Sequence, residues 1–433
     1  MNQRVSKLHM KRLLMPVLLV IFSSTLSATT YYVSTSGSDA NNGLTTSTPW
    51  ATLAYAEAHA TAAGDIIALK KGDVWSSTNA VAIKHSGSAG NPIIWDGALW
   101  GSGANASIKS SGNRSAGNDA IVNIIACSYV TFKNITVDGN NTQTYGLVIG
   151  SHSGMSGNNQ NNENHITIDG CSILNIGSGS DYRLGFLCQT WTTDISDITI
   201  QNCTLDGSDD EQLSFYPGKS QDGGTPRECR NLVIKNNSLT NWGRRGASTG
   251  YGLQINNKCT NVLIESNTLI QGPKGKGDAF HLESNEQAIG YMPTGVIVRY
   301  NKMTVTRSNE WCVIVQQGQA KTADFYQNLF IQGNNNTDGN GGAIWIIVSS
   351  SPAYTGALLN FWNNTIYTTS GLSFQNDCGT SGVSSFKNNI VYNAGTGSGS
   401  YCAIFNTSGS TTHSNNLYFK NATGDPTCVR DGS

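Results

Sequence analysis

One short phrase returns from about residue 165 to residue 418: a run of alternating apolar residues, an Asn, then one or two further apolar residues, as in LVIKNNSL, VLIESNTL, VIVRYNKM, LLNFWNNTI and SSFKNNIV. The asparagines fall at Asn237, Asn267, Asn301, Asn328, Asn364, Asn389 and Asn416, with Cys171 and Cys203 in the same slot of the first two copies. Successive gaps, by subtraction, are 32, 34, 30, 34, 27, 36, 25 and 27 residues. A period near thirty with drifting length marks a solenoid in place of a single globular core. Period-2 apolar runs within each repeat mark strands that bury one face and need the next coil to complete their hydrogen bonds, so the repeat predicts a β-helix. Asparagines in register would then form an internal column in which each amide satisfies its neighbours where water cannot reach.

The termini and composition bound the rest. Residues 1–28 read as an export signal, with Arg4, Lys7, Lys11 and Arg12 ahead of LLMPVLLVIF and a small-residue cleavage site at Leu26-Ser27-Ala28. No later run approaches the roughly 20 apolar residues that span a bilayer. The expectation is a secreted, periplasmic or cell-surface monomer. A net charge of −1 supplies no basic field, which speaks against nucleic acid and a membrane surface as partners. In an oxidising compartment the 10 cysteines permit disulfides, and Cys171 with Cys203, or Cys229 with Cys259, share a rung position; packing as small buried side chains is the alternative.

Residues 29–75 differ from the repeats that come after them. YYVSTSGSDANNG reads as strand and turn, TLAYAEAHATAA as a helix with Leu53, Ala56 and Ala60 on one side, and DIIALKKGDVW as strand again. That stretch is expected to cap the first coil, with repeats over 76–433 in about ten to twelve coils. Alternation places Leu213 and Phe215, Leu253 and Ile255, and Phe280 and Leu282 inside, and turns Ser214, Tyr216, Gln254, Asn256, His281 and Glu283 outward.

The opening YYVSTSGSDANNG, then PWATLAYA, then AGDIIALKKGDVW, followed by N-x-L coils, resembles secreted right-handed parallel β-helix proteins of the pectate-lyase-like superfamily over nearly the whole mature chain. The resemblance implies an all-β, right-handed parallel β-helix with an N-terminal capping helix, and a carbohydrate-active protein. That group includes polysaccharide lyases, glycoside hydrolases and uronate epimerases, so fold alone does not select a reaction.

The polar outward residues concentrate between about residues 183 and 316, the expected groove for an extracellular polysaccharide. Asp206, Asp209, Asp210 and Glu211 crowd a Gly/Ser turn, and such oxygens suit calcium, which takes about six to eight oxygen ligands. Two coils on, KGKGDAFHLESN brings Asp278, His281 and Glu283 together with Lys274 and Lys276, while Arg183 and the pair Arg244-Arg245 flank the acidic turn. Proton abstraction beside a uronate carboxylate needs a base, here Lys276 or His281, a neutralising cation such as calcium or an arginine (Arg183, Arg245), and an acid, here Tyr216. Glu283, Asp278, Gln254, Asn256 and Arg244, with the aromatics Trp311 and Trp345, are the expected substrate contacts, and Trp242 and Tyr251 are read as further outward aromatics. The leading expectation is a calcium-assisted lyase acting by β-elimination. A hydrolase using Asp210 and Asp278, about 10 Å apart across two coils, is the first alternative, and a non-catalytic carbohydrate-binding protein the second.

Overall fold

The computed structural model describes residues 28–433 apart from 114–119, 151–162, 180–182, 191–192, 219–226, 246–249, 285–290, 308, 317–320, 334–340, 348–356, 370–371, 378–381, 394–403, 407–409, 421–428 and 432–433. Its strands form three wholly parallel sheets. Sheet I holds 13 strands from Thr30–Val33 to Ser410–Ser414, sheet II 12 strands from Val74–Ser77 to Leu417–Lys420, and sheet III 12 strands from Val81–Ile83 to Val429–Asp431. Each coil visits I, II and III in turn, as in Ile195–Gln201, Thr204–Ser208 and Leu213–Pro217, and pairs with the coils before and after it. This is a right-handed parallel β-helix, the hand that parallel crossovers adopt.

Register explains the core. On sheet I the inward column runs Ile168, Ile200, Ile234, Ile264, Val298, Phe325, Phe361 and Phe386, all fully buried. Burying each such side chain contributes about 2 kcal/mol, before the entropy of ordering it is subtracted. Toward the C-terminal coils aromatic rings replace aliphatic ones, and Phe325 and Phe361 stack with centroids 4.5 Å apart.

The corner from sheet I to sheet II is made by one residue with positive φ: Asn202, Asn236, Ser266, Tyr300, Gln327, Asn363, Asn388 and Asn415 each precede a column position. Asn tolerates this left-handed geometry better than most residues, which is why the phrase so often reads Asn-Asn. The asparagine column itself is complete. Each Oδ1 accepts from the backbone N–H and side-chain amide of the asparagine one coil earlier, at 2.8–3.1 Å from Asn237 through Asn416. Each Nδ2 also donates to a carbonyl of the preceding coil, Ile264 O in the case of Asn301. Asn237 continues the chain backward to the Cys203 N–H.

At the N-terminal end the helix α1, Leu53–His59, starts at Thr52, whose hydroxyl accepts from the Tyr55 N–H. It buries Leu53 and Ala56 against the core, as the sequence predicts. The expected export signal lies outside the described residues except for Ala28, and no described helix is long and apolar enough to cross a membrane. Cys171, Cys203, Cys229 and Cys259 are buried thiols. Cys229 and Cys259 are register partners on sheet I, and the packing alternative describes all four.

Candidate functional site

Sheets I and II alternate between buried and open positions, whereas in the middle coils the strands of sheet III are buried on both faces, as in Phe186–Thr190, Leu253–Asn256 and Phe280–Glu283. Ser214, Gln254, His281 and Glu283 do point outward, as alternation predicts, but they are shielded from solvent. A polar network therefore fills this outer wall. Ser214 Oγ donates to Gln254 Oε1 (2.6 Å), and Gln254 Nε2 and Asn256 Nδ2 both donate to Glu283 Oε1 (2.9 and 2.6 Å).

His281 sits at the centre of it. Its Nε2 lies 2.7 Å from Gln316 Oε1, an acceptor, so that nitrogen carries hydrogen; Glu283 Oε2 is 3.6 Å from the same atom, and Asp278 Oδ2 is 3.6 Å from Nδ1. The Tyr251 ring packs beside the imidazole with centroids 4.0 Å apart. Burial alone would depress the imidazole pKa, but Asp278, Glu283 and Gln316 together outweigh it and raise it from its ordinary value. The network favours an imidazolium.

Asp278 reaches forward one coil, where its Oδ1 accepts from the Trp311 N–H at 2.8 Å. The residue before Trp311 is Glu310, which sequence reasoning did not single out. Burial and the Asp278 charge push its carboxyl up to about 7, against the opposing pull of the Gly277 N–H, Arg307 and Lys276. Glu310 thus lies one coil after Asp278, aligned with its neighbour Gly277, and feels the charges of both Asp278 and Lys276.

The acidic turn divides differently from the calcium expectation. Asp206 lies on sheet II and accepts from Thr240 and Asn241. Both oxygens of Asp209 accept from the Gly179 N–H, and Arg244 reaches the same carboxylate while donating to the Ile176 and Gly177 carbonyls. Asp210 pairs with Arg245 at 3.3 Å. Burial, against the pull of Arg245 and with the help of the Asp209 charge, moves its carboxyl up to about 7, and both its oxygens are sealed from solvent. Glu211 is buried where the chain enters sheet III. Among the described residues no three His, Cys, Asp or Glu side chains converge as a metal site. Asp206 is turned toward Thr240 and Asn241, and Asp209 and Asp210 are engaged by Arg244 and Arg245, so the four carboxyls do not gather round one calcium ion.

Two apolar clusters flank the network on the same wall. Tyr145, Val148, Leu184 and Leu187, with Tyr216 against them, lie toward the N-terminal coils, and the Arg183 guanidinium covers the Tyr145 ring at 5.1 Å. Trp311, Ile314 and Leu372, with Trp345, lie toward the C-terminal coils, and Trp345 Nε1 donates to Asp377 at 2.7 Å. Trp311, which is buried, and Trp345 lie in the C-terminal cluster, while Arg183 and Tyr216 belong to the opposite cluster. Trp242, read as outward, is instead fully buried in the core, its indole N–H donating to Gly277 O.

No family model matches the sequence, and none of the curated proteins matches it. Solved structures with the same fold do. A GH136 lacto-N-biosidase from Eubacterium ramulus superposes with a TM-score of 0.64 at 15% identity, over 90% of this chain and 68% of that one. The catalytic unit of a GH87 alpha-1,3-glucanase from Streptomyces thermodiastaticus gives 0.53 at 13% identity, over 87% and 67%. The A-module of the mannuronan C-5 epimerase AlgE6 from Azotobacter vinelandii gives 0.51 at 12% identity, over 84% and 89%. These are parallel β-helix carbohydrate-active proteins, and at such identities the likeness is one of fold.

Proposed function

We propose that the chain is a glycan-cleaving enzyme that hydrolyses a glycosidic bond with the carboxyl pair Asp278 and Glu310. The observation that carries this reading is the pairing itself: two buried carboxyl groups on adjacent coils, one raised to about 7 beside a second that is anchored to a backbone N–H and to His281. Glu310 is suited to hold a proton at neutral pH and give it to the departing oxygen, while Asp278 faces the anomeric carbon as the carboxylate. His281 positions Asp278, and the apolar clusters on either side offer rings to the C–H faces of flanking sugars. The fold shared with the E. ramulus and S. thermodiastaticus hydrolases supports the substrate class.

The pair differs from Asp210 with Asp278 because Asp210 is already paired with Arg245. Uronate elimination is the second reading, favoured by Arg244, Arg245 and Lys276 along one edge of the site. It is the weaker one, since the arginines are already engaged by Asp209 and Asp210. No step runs through calcium. The test is a panel of neutral glycans, pectate, alginate and glycosaminoglycans, read in parallel for new reducing ends and for ultraviolet absorbance. Hydrolysis predicts reducing ends without absorbance, abolished in Glu310→Gln; an unsaturated, absorbing product would replace this reading with elimination.

A further inference from the structure

Far from this wall, at the first coil, the solenoid core is open to a cavity of about 460 Å³ bounded by α1 and by the strands Val74–Ser77 and Val81–Ile83. That volume lies in the range of small-ligand sites, about 300–1,000 Å³. Val81–Ile83 stands six strands from Phe280–Glu283 in sheet III, hence about 29 Å from the candidate catalytic wall. Its floor is the core itself, Leu53 and Ile108, and Trp75 and Val81 form half-buried walls packed on that core.

Trp75 is held as a fixed wall. It pairs in register with Ile108, and its indole N–H donates to Ala51 O at 2.9 Å. Opposite α1's apolar contacts, Glu57 supplies a carboxyl group whose Oε1 accepts from the Lys84 N–H (2.7 Å), the His85 N–H (3.2 Å) and His85 Nδ1 (2.8 Å). Among the described residues its other oxygen, Oε2, meets no donor, and Glu57 lines the cavity. The carboxyl pKa is raised by burial, against the pull of those same donors.

These features constrain an occupant. An unpaired carboxyl oxygen asks for a hydroxyl or amine donor, and a flat indole beside aliphatic walls asks for an apolar face. Glu57 and Lys84 both line the space, so a charged ligand of either sign meets a like charge as well as an unlike one, whereas a neutral polyol meets only partners. A lipid chain would leave the free Glu57 carboxyl oxygen without a donor, at about 1–3 kcal/mol for a buried polar group. A pyranose ring has both required surfaces, hydroxyl donors at its rim and C–H groups on its face.

We infer that this cavity is a second, non-catalytic carbohydrate site that takes a single neutral pyranose unit between Trp75 and Glu57. It stands independently of the reaction assigned to the catalytic wall. Saturation-transfer NMR on the full chain with methyl β-glucopyranoside, methyl β-galactopyranoside and N-acetylglucosamine tests it, alongside Glu57→Gln and the cavity-filling Ala80→Phe. At least one of the three sugars should give transfer to the wild type, falling at least about tenfold in both variants while the thermal midpoint of Ala80→Phe stays unchanged. Absence of transfer from all three sugars, or transfer undiminished in Ala80→Phe, overturns it.

Discussion

Replacing Asn301 by Ala tests the feature on which the stack depends. The Asn301 Oδ1 accepts from the Asn267 N–H at 2.8 Å and Nδ2 at 3.0 Å, and its Nδ2 donates to Ile264 O and Arg299 O at 2.9 Å and to Asn328 Oδ1 at 3.1 Å. Alanine keeps the backbone but strands the Asn267 N–H and the Ile264 carbonyl in a region water does not reach. An unsatisfied buried polar group costs about 1–3 kcal/mol, so the two together place the loss at about 4 kcal/mol. The measure is urea unfolding followed by far-ultraviolet circular dichroism, with Asn416→Ala as the internal comparison. Asn416 makes the same contacts to Asn389 but is half-exposed, so water replaces them and the expected loss is below about 2 kcal/mol. A loss under about 1 kcal/mol at Asn301, or equal losses at the two sites, would refute the argument that burial gives the column its strength.

Glu310→Gln and Asp278→Asn should each lower kcat by about 10²–10⁴ with little change in circular dichroism, the usual range for a positioned acid or base; retained turnover in either removes it from the pair. Asp210 and Glu310 keep a proton in the folded chain up to about 7, whereas unfolded carboxyls release it near about 4. The folded chain then binds more protons in that window, so stability falls as pH rises from about 4 to about 7. His281, with its raised pKa, contributes in the same sense, its share being lost as pH climbs through the folded value. The urea midpoint should therefore be lower at about pH 8 than at about pH 5, and the slope should flatten in Asp210→Asn; a midpoint that rises with pH contradicts the assignment. Gly277→Ala places a Cβ 1.5 Å from Gly250 O at a φ of +95°, and should cost at least about 2 kcal/mol in the same assay.

The column is legible in the sequence because a buried amide repeated at a fixed place in every coil has few partners other than its own translated copies. The inward pairs such as Leu213 and Phe215, or Phe280 and Leu282, come from alternation for the same reason. What period cannot show is the shape of the turn between sheets II and III. Trp242, Asp210 and Glu310 all lie there, and whether such a residue faces core, solvent or substrate depends on turn length, which drifts from coil to coil. Glu310 has one available signal. The strand pairing that sets Asp278 opposite Trp311 aligns it with Gly277, one place before Asp278 on the approach to the sheet III strand, the position Asp210 holds three coils earlier. Asp209 is hard to read from sequence because Arg244, which pairs with it, arrives from the next coil, 35 residues on.

Every asparagine-to-asparagine bond in the column joins residues 25 to 36 positions apart, and each sheet strand pairs only with the strands of neighbouring coils. Strand pairing joins each coil only to its neighbours, while the Arg244 side chain reaches back to Asn141. Such a molecule can assemble vectorially, each new turn templated on the last as it leaves a ribosome or a translocation pore, and its length can change by whole turns without altering any junction.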